Sequence, residues 1–370
     1  MPSASTSASA ATAAPTKANV FDLGSYTPVL QTIETGSTHP VPPPKPLLIA
    51  MPREAGEYPV LIVLHGYLLY NSFYSQLIQH IASYGFIVVA PQFHSLVYEV
   101  LQSKRLYKAF GLSNLLGLLS LCSIVPRRTR SLEEENAGCS RMVMKNLYTC
   151  AGEDATVDID AAAAVTDWLS EGLHCSLPAA IQPDLTKLGL AGHSRGGKAA
   201  FALALGKAAT SLKFSALVGI DPVDGKDEGK QTPPKVLTYF PHSFKLDMAA
   251  MVIGSGLGEV KKCHLFPACA PKGVNHEEFF NECQEPACYF VAKDYGHLDM
   301  LNDDTTGIRG IATYCLCENG KSREPMRRFV GGIVVAFMKA YLLGDKSDLT
   351  AIRDGHETAP VELTTIEFLG

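Results

Sequence analysis

One serine of this chain, Ser194, lies between glycines in the pentapeptide G-H-S-R-G, a pattern that suits nucleophilic chemistry. An apolar run at 187–191 precedes the pentapeptide and an alanine-rich segment follows it, which predicts a strand, a sharp turn and a helix. Gly192 and Gly196 carry no side chain, so the strand and the helix can pass close together. We therefore expect Ser194 to be a nucleophile at the turn; a plain glycine-rich turn is the alternative interpretation.

A serine nucleophile needs a base and an acid that orients the base, which in sites of this kind follow in the order Ser, Asp/Glu, His. Asp221 directly follows an apolar run at 214–220, whereas Asp224 lies further into the loop. His297 lies in a loop after the apolar run at 288–292. These positions predict that His297 takes the serine proton and that Asp221, with Asp224 as its rival, orients the imidazole. The alternative for His297 is a structural role.

Acyl transfer also needs hydrogen-bond donors for the oxyanion that forms when the serine attacks. We expect one donor to be the backbone N–H of Arg195, directly after the nucleophile. Tyr67 comes shortly after an apolar run at 59–64, and its N–H is the expected second donor, because the loop after an early strand supplies it in such sites. The alternative is that His65 and Gly66 only shape a tight turn. This chemistry requires no cofactor and no metal.

Strand-like and helix-like patterns alternate along the chain, which is typical of an α/β fold with a mostly parallel central sheet and helices on both faces. This alternation and the G-x-S-x-G turn predict an α/β-hydrolase fold in a single domain over 21–345. The strands are expected at 47–52, 59–64, 86–90, 187–191, 214–220, 236–239, 251–256 and 288–292, and the helices at 73–84, 154–173 and 329–343.

Three segments do not fit this regular pattern. Residues 1–20 begin with a Ser, Ala, Thr and Pro-rich stretch without acidic residues, which indicates either a disordered tail or a targeting segment of the plastid type. Residues 94–146 are interpreted as an insertion after a central strand: a cap over the pocket, a membrane-surface helix that gives peripheral membrane contact, or a poorly ordered insertion. The polar residues 346–370 are expected to form a peripheral C-terminal tail.

The overall composition limits the classes of partner. Of the 370 residues, 46% are hydrophobic and 19% are charged, and the formal net charge of -5 argues against a nucleic-acid partner. No apolar run reaches the roughly 20 residues that cross a bilayer. Ten cysteines favour buried thiols or one or two disulfides, because their spacings in the C-terminal third do not match zinc sites. The oligomeric state stays open.

Five segments of the sequence resemble plant chlorophyllases. They are L-H-G-Y at 64–67, F-I-V-V-A-P-Q at 86–92, G-H-S-R-G-G-K at 192–198, I-D-P-V at 220–223 and G-H-L-D at 296–299. The resemblance covers most of residues 20–345. It implies an esterase that hydrolyses the phytyl ester of chlorophyll to chlorophyllide and phytol, with chlorophyll or a related chlorin ester as substrate. It also implies that Ser194, Asp221 and His297 are the catalytic triad.

The segment 94–146 departs from the family pattern, in which the strand before it runs almost directly into residues like 147–155. About fifty residues intervene, far more than a usual connection, and they are interpreted as a lineage-specific cap or as translated intron. Two other functions stay open: a general lipase-like or polyester carboxylesterase, and a non-catalytic ligand-binding protein if the insertion blocks the site. The expected compartment is the chloroplast, with the cytosol or an endomembrane surface as the alternative.

Overall fold

The computed structural model describes residues 19–36, 40–93, 154–262 and 267–370. Within these ranges the strands form one sheet in the order β1-β2-β4-β3-β5-β6-β7-β8-β9, numbered along the chain. The strands are Pro28–Ile33 (β1), Leu47–Pro52 (β2), Gly56–Leu64 (β3), Ile87–Pro91 (β4), Ile181–His193 (β5), Ala216–Ile220 (β6), Ala249–Ser255 (β7), Ala287–Ala292 (β8) and Leu363–Leu369 (β9).

The six strands in the middle of the sheet, from β4 to β8, run parallel to one another. The edge strands β1, β2 and β9 join antiparallel. All residues of β4, β6, β7 and β8 are buried, as expected for parallel strands that are covered on both faces. The predicted α/β class with a mostly parallel central sheet is therefore confirmed, and the arrangement is that of an α/β-hydrolase fold.

Helices cover both faces of the sheet. They are Ser75–Ala82 (α1, after a 3₁₀ turn at Asn71–Tyr74), Thr156–Trp168 (α2, followed by a π turn at Leu169–Leu173), His174–Ser176 (α3), Arg195–Ala204 (α4), His276–Asn281 (α5), Gly307–Cys315 (α6), Glu324–Leu342 (α7) and Ser347–Arg353 (α8). The apolar face of α1, α7 and α8 packs in one core with Leu61, and that of α2, α4 and α5 in a second core with Ile62. Neighbouring residues of β3 thus enter opposite cores, because strand side chains alternate between faces.

The last residues of the chain belong to the sheet. Strand β9 pairs with β8 from Ala287↔Leu369 to Ala292↔Leu363, and Leu349 and Ile352 of α8 are buried in the core beside α7. This corrects the expectation that 346–370 form a peripheral tail. The sequence of β9, L-T-T-I-E-F-L, mixes polar and apolar residues, and none of them is fully buried, so it lacks the continuous apolar run of the central strands.

Residues 236–239, predicted as a strand, do not join the sheet. The backbone N–H groups of Val236 and Leu237 donate to the carboxylate of Asp224, at 3.1 and 2.9 Å. The carboxylate of Glu282 accepts the next two N–H groups along the chain. Because buried carboxylates satisfy these donors, the segment needs no strand partner.

The interpretations of residues 1–18 and 94–146 concern positions outside the described residues. Residues 19–20, in contrast, are described, and Val20 is buried against the core. Among the helices of the described ranges, none has the length and apolar character to cross a membrane.

Candidate active site

The structure brings Ser194, His297 and Asp221 together above the carboxyl ends of β5, β6 and β8. The hydroxyl Oγ of Ser194 lies 2.8 Å from Nε2 of His297, and Nδ1 of His297 lies 2.6 Å from Oδ2 of Asp221. A carboxylate only accepts hydrogen bonds, so the proton of the neutral imidazole is on Nδ1. Nε2 is then left to accept a hydrogen bond from the serine hydroxyl, which is the arrangement that a general base requires.

The backbone of the G-H-S-R-G turn explains its glycines. Ser194 has φ 56 and ψ -122 at the start of α4, a conformation that is unfavourable for a residue with a side chain and is found at functional sites. A Cβ at Gly192 would collide with the carbonyl of Gly196, and a Cβ at Gly196 would collide with the carbonyl of Leu64. The turn therefore needs glycine at both positions to hold Ser194 between the strand and the helix.

Several donors surround the carboxylate of Asp221, which is fully buried. The N–H of Ser255 donates to Oδ1 at 3.2 Å, and the Ser255 hydroxyl donates to Oδ2. Nε2 of His276 lies 3.8 Å from Oδ1. Burial alone would raise the pKa of the Asp221 carboxyl, but the hydrogen bond and charge of His297, the charge of His276 and the Ser255 hydroxyl together lower it to about 2. Asp221 is thus an anion at neutral pH.

The sequence analysis did not identify Ser255 and His276. Ser255 is the last residue of β7, and the carboxyl ends of neighbouring parallel strands meet at one edge of a sheet. The position of Ser255 at the end of a predicted strand could therefore have identified it as a candidate site residue. His276 is at the start of a short helix, with its Nδ1 2.6 Å from the hydroxyl of Tyr289; no feature of the sequence distinguishes it from other histidines.

Asp224, the rival acid, lies away from His297 and serves another purpose. Its Oδ1 forms a buried ion pair of 2.7 Å with Nζ of Lys198. Its Oδ2 accepts hydrogen bonds from the Gln231 side chain and from the backbone of residues 236 and 237. Asp224 therefore ties the loop after β6 to helix α4, whereas Asp221 contacts the imidazole.

The loop that carries His297 is fixed by a second buried carboxylate. Oδ2 of Asp299 accepts the N–H of Gly296 at 2.7 Å and the N–H of Gly320 at 2.6 Å. Close to Gly320, Cys317 forms a disulfide with Cys269, while the described thiols of Cys283 and Cys288 are buried and free. Both outcomes that the cysteine count predicted, a disulfide and buried thiols, are therefore present.

The two expected oxyanion donors come from neighbouring segments. Arg195 is the first residue of α4, and the first N–H groups of a helix have no intrahelical partner. The Arg195 guanidinium lies over the ring of Tyr67, 5.2 Å from its centroid, and donates to Asp158 at 2.5 Å. A Cβ built on Gly66 would lie 3.2 Å from Cβ of Ser194. The loop after β3 therefore lies directly beside the nucleophile.

Chemically, the arrangement can remove the proton of an alcohol, hold the resulting imidazolium with a carboxylate and offer N–H groups to the carbonyl oxygen that becomes negatively charged. These are the requirements of acyl transfer through a covalent serine ester. Among the described residues there is no group of three or more His, Cys, Asp or Glu side chains that could hold a metal ion.

Comparison with known proteins identifies the family of this chain. The family model described as chlorophyllase matches residues 16–126 and 140–370, and leaves unmatched a stretch within the segment interpreted as an insertion. Chlorophyllase-2 of Arabidopsis thaliana is 50% identical over 364 residues, which covers 95% of this chain and 98% of that protein. Chlorophyllase-1 of the same plant is 39% identical over 347 residues, 93% of this chain and 90% of that protein. A protein of Citrus unshiu named chlorophyllase-1, chloroplastic, is 37% identical over 353 residues, 95% of this chain and 88% of that protein. Both the matched length and these identities place the chain in the chlorophyllase family.

Proposed function

We propose that this protein is a serine esterase that hydrolyses the phytyl ester of chlorophyll to chlorophyllide and phytol. The proposal rests on the two successive hydrogen bonds that connect Ser194 through His297 to Asp221, in a chain whose relatives are named chlorophyllases. Chlorophyll or a related chlorin ester is the substrate in this proposal, and the chloroplast is the compartment, by analogy with the Citrus relative.

In the first half of the reaction, Oγ of Ser194 attacks the ester carbonyl carbon while Nε2 of His297 takes the hydroxyl proton. The carbonyl electron pair moves onto oxygen, and the backbone N–H groups of Tyr67 and Arg195 donate to that oxyanion. When the tetrahedral intermediate collapses, the bond to the phytyl oxygen breaks. The leaving alkoxide takes the proton from His297 and departs as phytol, and the chlorin acid stays bound to Ser194 as an ester.

In the second half, water attacks the carbonyl carbon of this ester, and His297 takes a proton from the water. Collapse of the second tetrahedral intermediate breaks the bond to Oγ of Ser194, which recovers its proton from His297. The chlorin leaves as the free acid, chlorophyllide. Asp221 is not protonated in either half; it holds Nδ1–H and stabilises the imidazolium that forms twice.

The test is product analysis with chlorophyll a and with a short-chain aryl ester, using the wild type and Ser194→Ala. We expect the wild type to release chlorophyllide and phytol. We also expect Ser194→Ala to lose at least about 10⁴-fold in kcat on both esters. Hydrolysis of the aryl ester without release of phytol would favour the general carboxylesterase. Turnover by Ser194→Ala at the wild-type rate would refute the serine mechanism.

A deletion of residues 95–146 tests the hypothesis that this segment blocks the site in a non-catalytic protein. That hypothesis expects no ester hydrolysis by the full chain and a gain of hydrolysis by the deletion variant. The esterase proposal expects hydrolysis by the full chain itself.

A further inference from the structure

The residue before the nucleophile, His193, is fully buried, and both of its ring nitrogens have partners. Nε2 lies 2.8 Å from the backbone carbonyl oxygen of His297. Nδ1 lies 2.6 Å from the hydroxyl of Tyr74, which is also buried. In the pattern G-x-S-x-G this position accepts any residue, so nothing in the motif requires a histidine there.

The direction of each hydrogen bond follows from the partners. A carbonyl oxygen only accepts, so Nε2 of His193 carries the proton and donates to His297. Nδ1 therefore accepts, and the hydroxyl of Tyr74 donates to it. The Tyr74 oxygen in turn accepts the N–H of Gly66 at 3.0 Å. A single chain of hydrogen bonds thus runs from Gly66, in the loop after β3, to the backbone of His297.

Burial keeps every member of this chain neutral. It lowers the pKa of His193 to about 3, with a smaller effect from the neighbouring His297, and it raises the pKa of Tyr74 above its usual range. The imidazole of His193 therefore stays uncharged at neutral pH, and Nδ1 stays available to Tyr74. Buried chains of satisfied hydrogen bonds fix geometry, because a broken link leaves a polar group without a partner.

Both ends of the chain lie at parts of the proposed machinery. At one end, Gly66 precedes Tyr67, and the Gly66 carbonyl belongs to the same peptide group as the Tyr67 N–H. That carbonyl accepts from Nδ1 of His65 at 2.8 Å and from the N–H of Leu69 at 3.2 Å. The peptide group between Gly66 and Tyr67 thus presents the proposed oxyanion donor. His65 holds its carbonyl oxygen, and Tyr74 holds the N–H of Gly66 that precedes it. At the other end is the backbone of the general base.

We propose that His193 and Tyr74 are positioning residues that hold the Gly66–Tyr67 peptide and the backbone of His297 at a fixed separation. Neither residue touches the substrate. The inference rests on the proposed function. It adds that these two side chains stabilise the transition state rather than the bound substrate. Small displacements of a reacting group or of an oxyanion donor reduce the rate strongly.

The test variant is Tyr74→Phe, which removes one hydroxyl and keeps the ring. We expect kcat for the aryl ester to fall on the order of 10- to 100-fold, while KM changes less than about threefold. The affinity for an aryl boronic acid, a tetrahedral analogue, is expected to fall by the same factor as kcat/KM. Binding of chlorophyllide, a ground-state ligand, should stay within about twofold of the wild type.

The matched control is Tyr58→Phe. Tyr58 is also buried, and its hydroxyl donates at 2.8 Å to the carbonyl of Glu54 in the turn before β3, at the opposite end of that strand from the site. We expect a comparable loss of thermal stability in both variants and a loss of kcat in Tyr74→Phe alone. Equal kcat in both variants, or an equal loss of boronate and chlorophyllide affinity in Tyr74→Phe, would overturn the proposal.

A second variant, His193→Gln, tests the chain as a unit. If both residues act through one chain, the double variant Tyr74→Phe/His193→Gln loses no more kcat than the worse single variant. If the loss of kcat in the double variant equalled the product of the two single losses, the two side chains would act independently, contrary to the proposal. The aryl ester separates this inference from the proposed substrate: a wild type that hydrolyses the aryl ester and not chlorophyll would refute the substrate and leave the comparisons of kcat and of boronate affinity valid.

Discussion

Ser255 donates both its backbone N–H and its hydroxyl to the carboxylate of Asp221. Ser255 is the last residue of β7, and Asp221 directly follows the neighbouring strand β6. Asp221 has φ 44, a backbone conformation that few residues with side chains adopt. The hydrogen bonds from Ser255 and His297 thus anchor the carboxylate of a residue whose backbone conformation is unfavourable.

Removal of the Ser255 hydroxyl should therefore impair catalysis through Asp221. We expect Ser255→Ala to lower kcat about tenfold with little change in KM, because a hydrogen bond to a charged group contributes about 1.5–3 kcal/mol and the backbone donor remains. The control is Ser83→Ala, which removes another buried serine hydroxyl, one that donates to the carbonyl of His80. Steady-state kinetics on an aryl ester measures both. An unchanged kcat in Ser255→Ala would mean that its backbone N–H alone orients Asp221.

The two aspartates after β6 should respond differently to the same substitution. Asp221→Asn is expected to lower kcat by about 10⁴-fold, since the imidazole loses the partner that fixes its tautomer. Asp224→Asn leaves the buried ammonium of Lys198 without its counter-ion, so we expect a loss of about 3–5 kcal/mol in the free energy of unfolding. Its folded fraction should keep kcat within about tenfold of the wild type.

Urea unfolding and active-site titration distinguish the two effects. A fully folded Asp224→Asn variant with the 10⁴-fold loss would contradict the assignment of a purely structural role to Asp224.

The positions of Ser194, Asp221 and His297 could be predicted because each follows an apolar strand of the same parallel sheet. Parallel strands bring their carboxyl ends to one edge, so residues far apart in sequence must meet there. The buried strands could be predicted for a related reason: a strand covered on both faces needs an unbroken apolar run.

Contacts that depend on a single polar atom could not be predicted. The hydroxyl of Tyr74 contacts the ring of His193, and no period or motif distinguishes this tyrosine from the others. The disulfide between Cys269 and Cys317 spans 48 residues, and spacing does not reveal such pairing. Residues 236–239 have the composition of a strand, but the carboxylates of Asp224 and Glu282 bind their N–H groups.

The neutral state of His193 predicts how stability depends on pH. Its pKa in the folded protein is lowered to about 3 from an ordinary value of 6.5, chiefly by burial. Between these values the unfolded chain binds a proton that the folded protein does not, so the free energy of unfolding falls as the pH is lowered from 6.5 towards 3. The expected slope is about 1.4 kcal/mol per pH unit for this one proton.

Urea unfolding at several pH values within this window measures the slope in the wild type and in His193→Gln. In the variant this slope should be smaller by about 1.4 kcal/mol per pH unit, which is the contribution of one proton. Part of it should remain, because burial also lowers the pKa of His80. Identical slopes in the two proteins would contradict a neutral His193. The contribution of Asp221 to stability is lost as the pH falls through the ordinary pKa of 3.8 towards the folded pKa of about 2, at the acid end of this window.

The C-terminal segment should be required for stability because it closes one edge of the sheet. Deletion of residues 346–370 removes β9 and α8 and exposes the edge of β8, together with the apolar surface that Leu349 and Ile352 cover. Burial of each of these side chains contributes about 1.5–3 kcal/mol, so we expect a loss of more than about 3 kcal/mol in the free energy of unfolding. We also expect self-association through the unpaired strand.

A shorter deletion, of residues 360–370, separates the two contributions, because it removes β9 and keeps α8. We expect it to cause self-association in size-exclusion chromatography with a smaller loss of stability than the longer deletion. Thermal unfolding of both variants against the full chain gives the comparison. If the longer deletion left the unfolding temperature and the monomer fraction unchanged, the segment would be an accessory tail after all, and the pairing of β9 with β8 would contribute nothing to the fold.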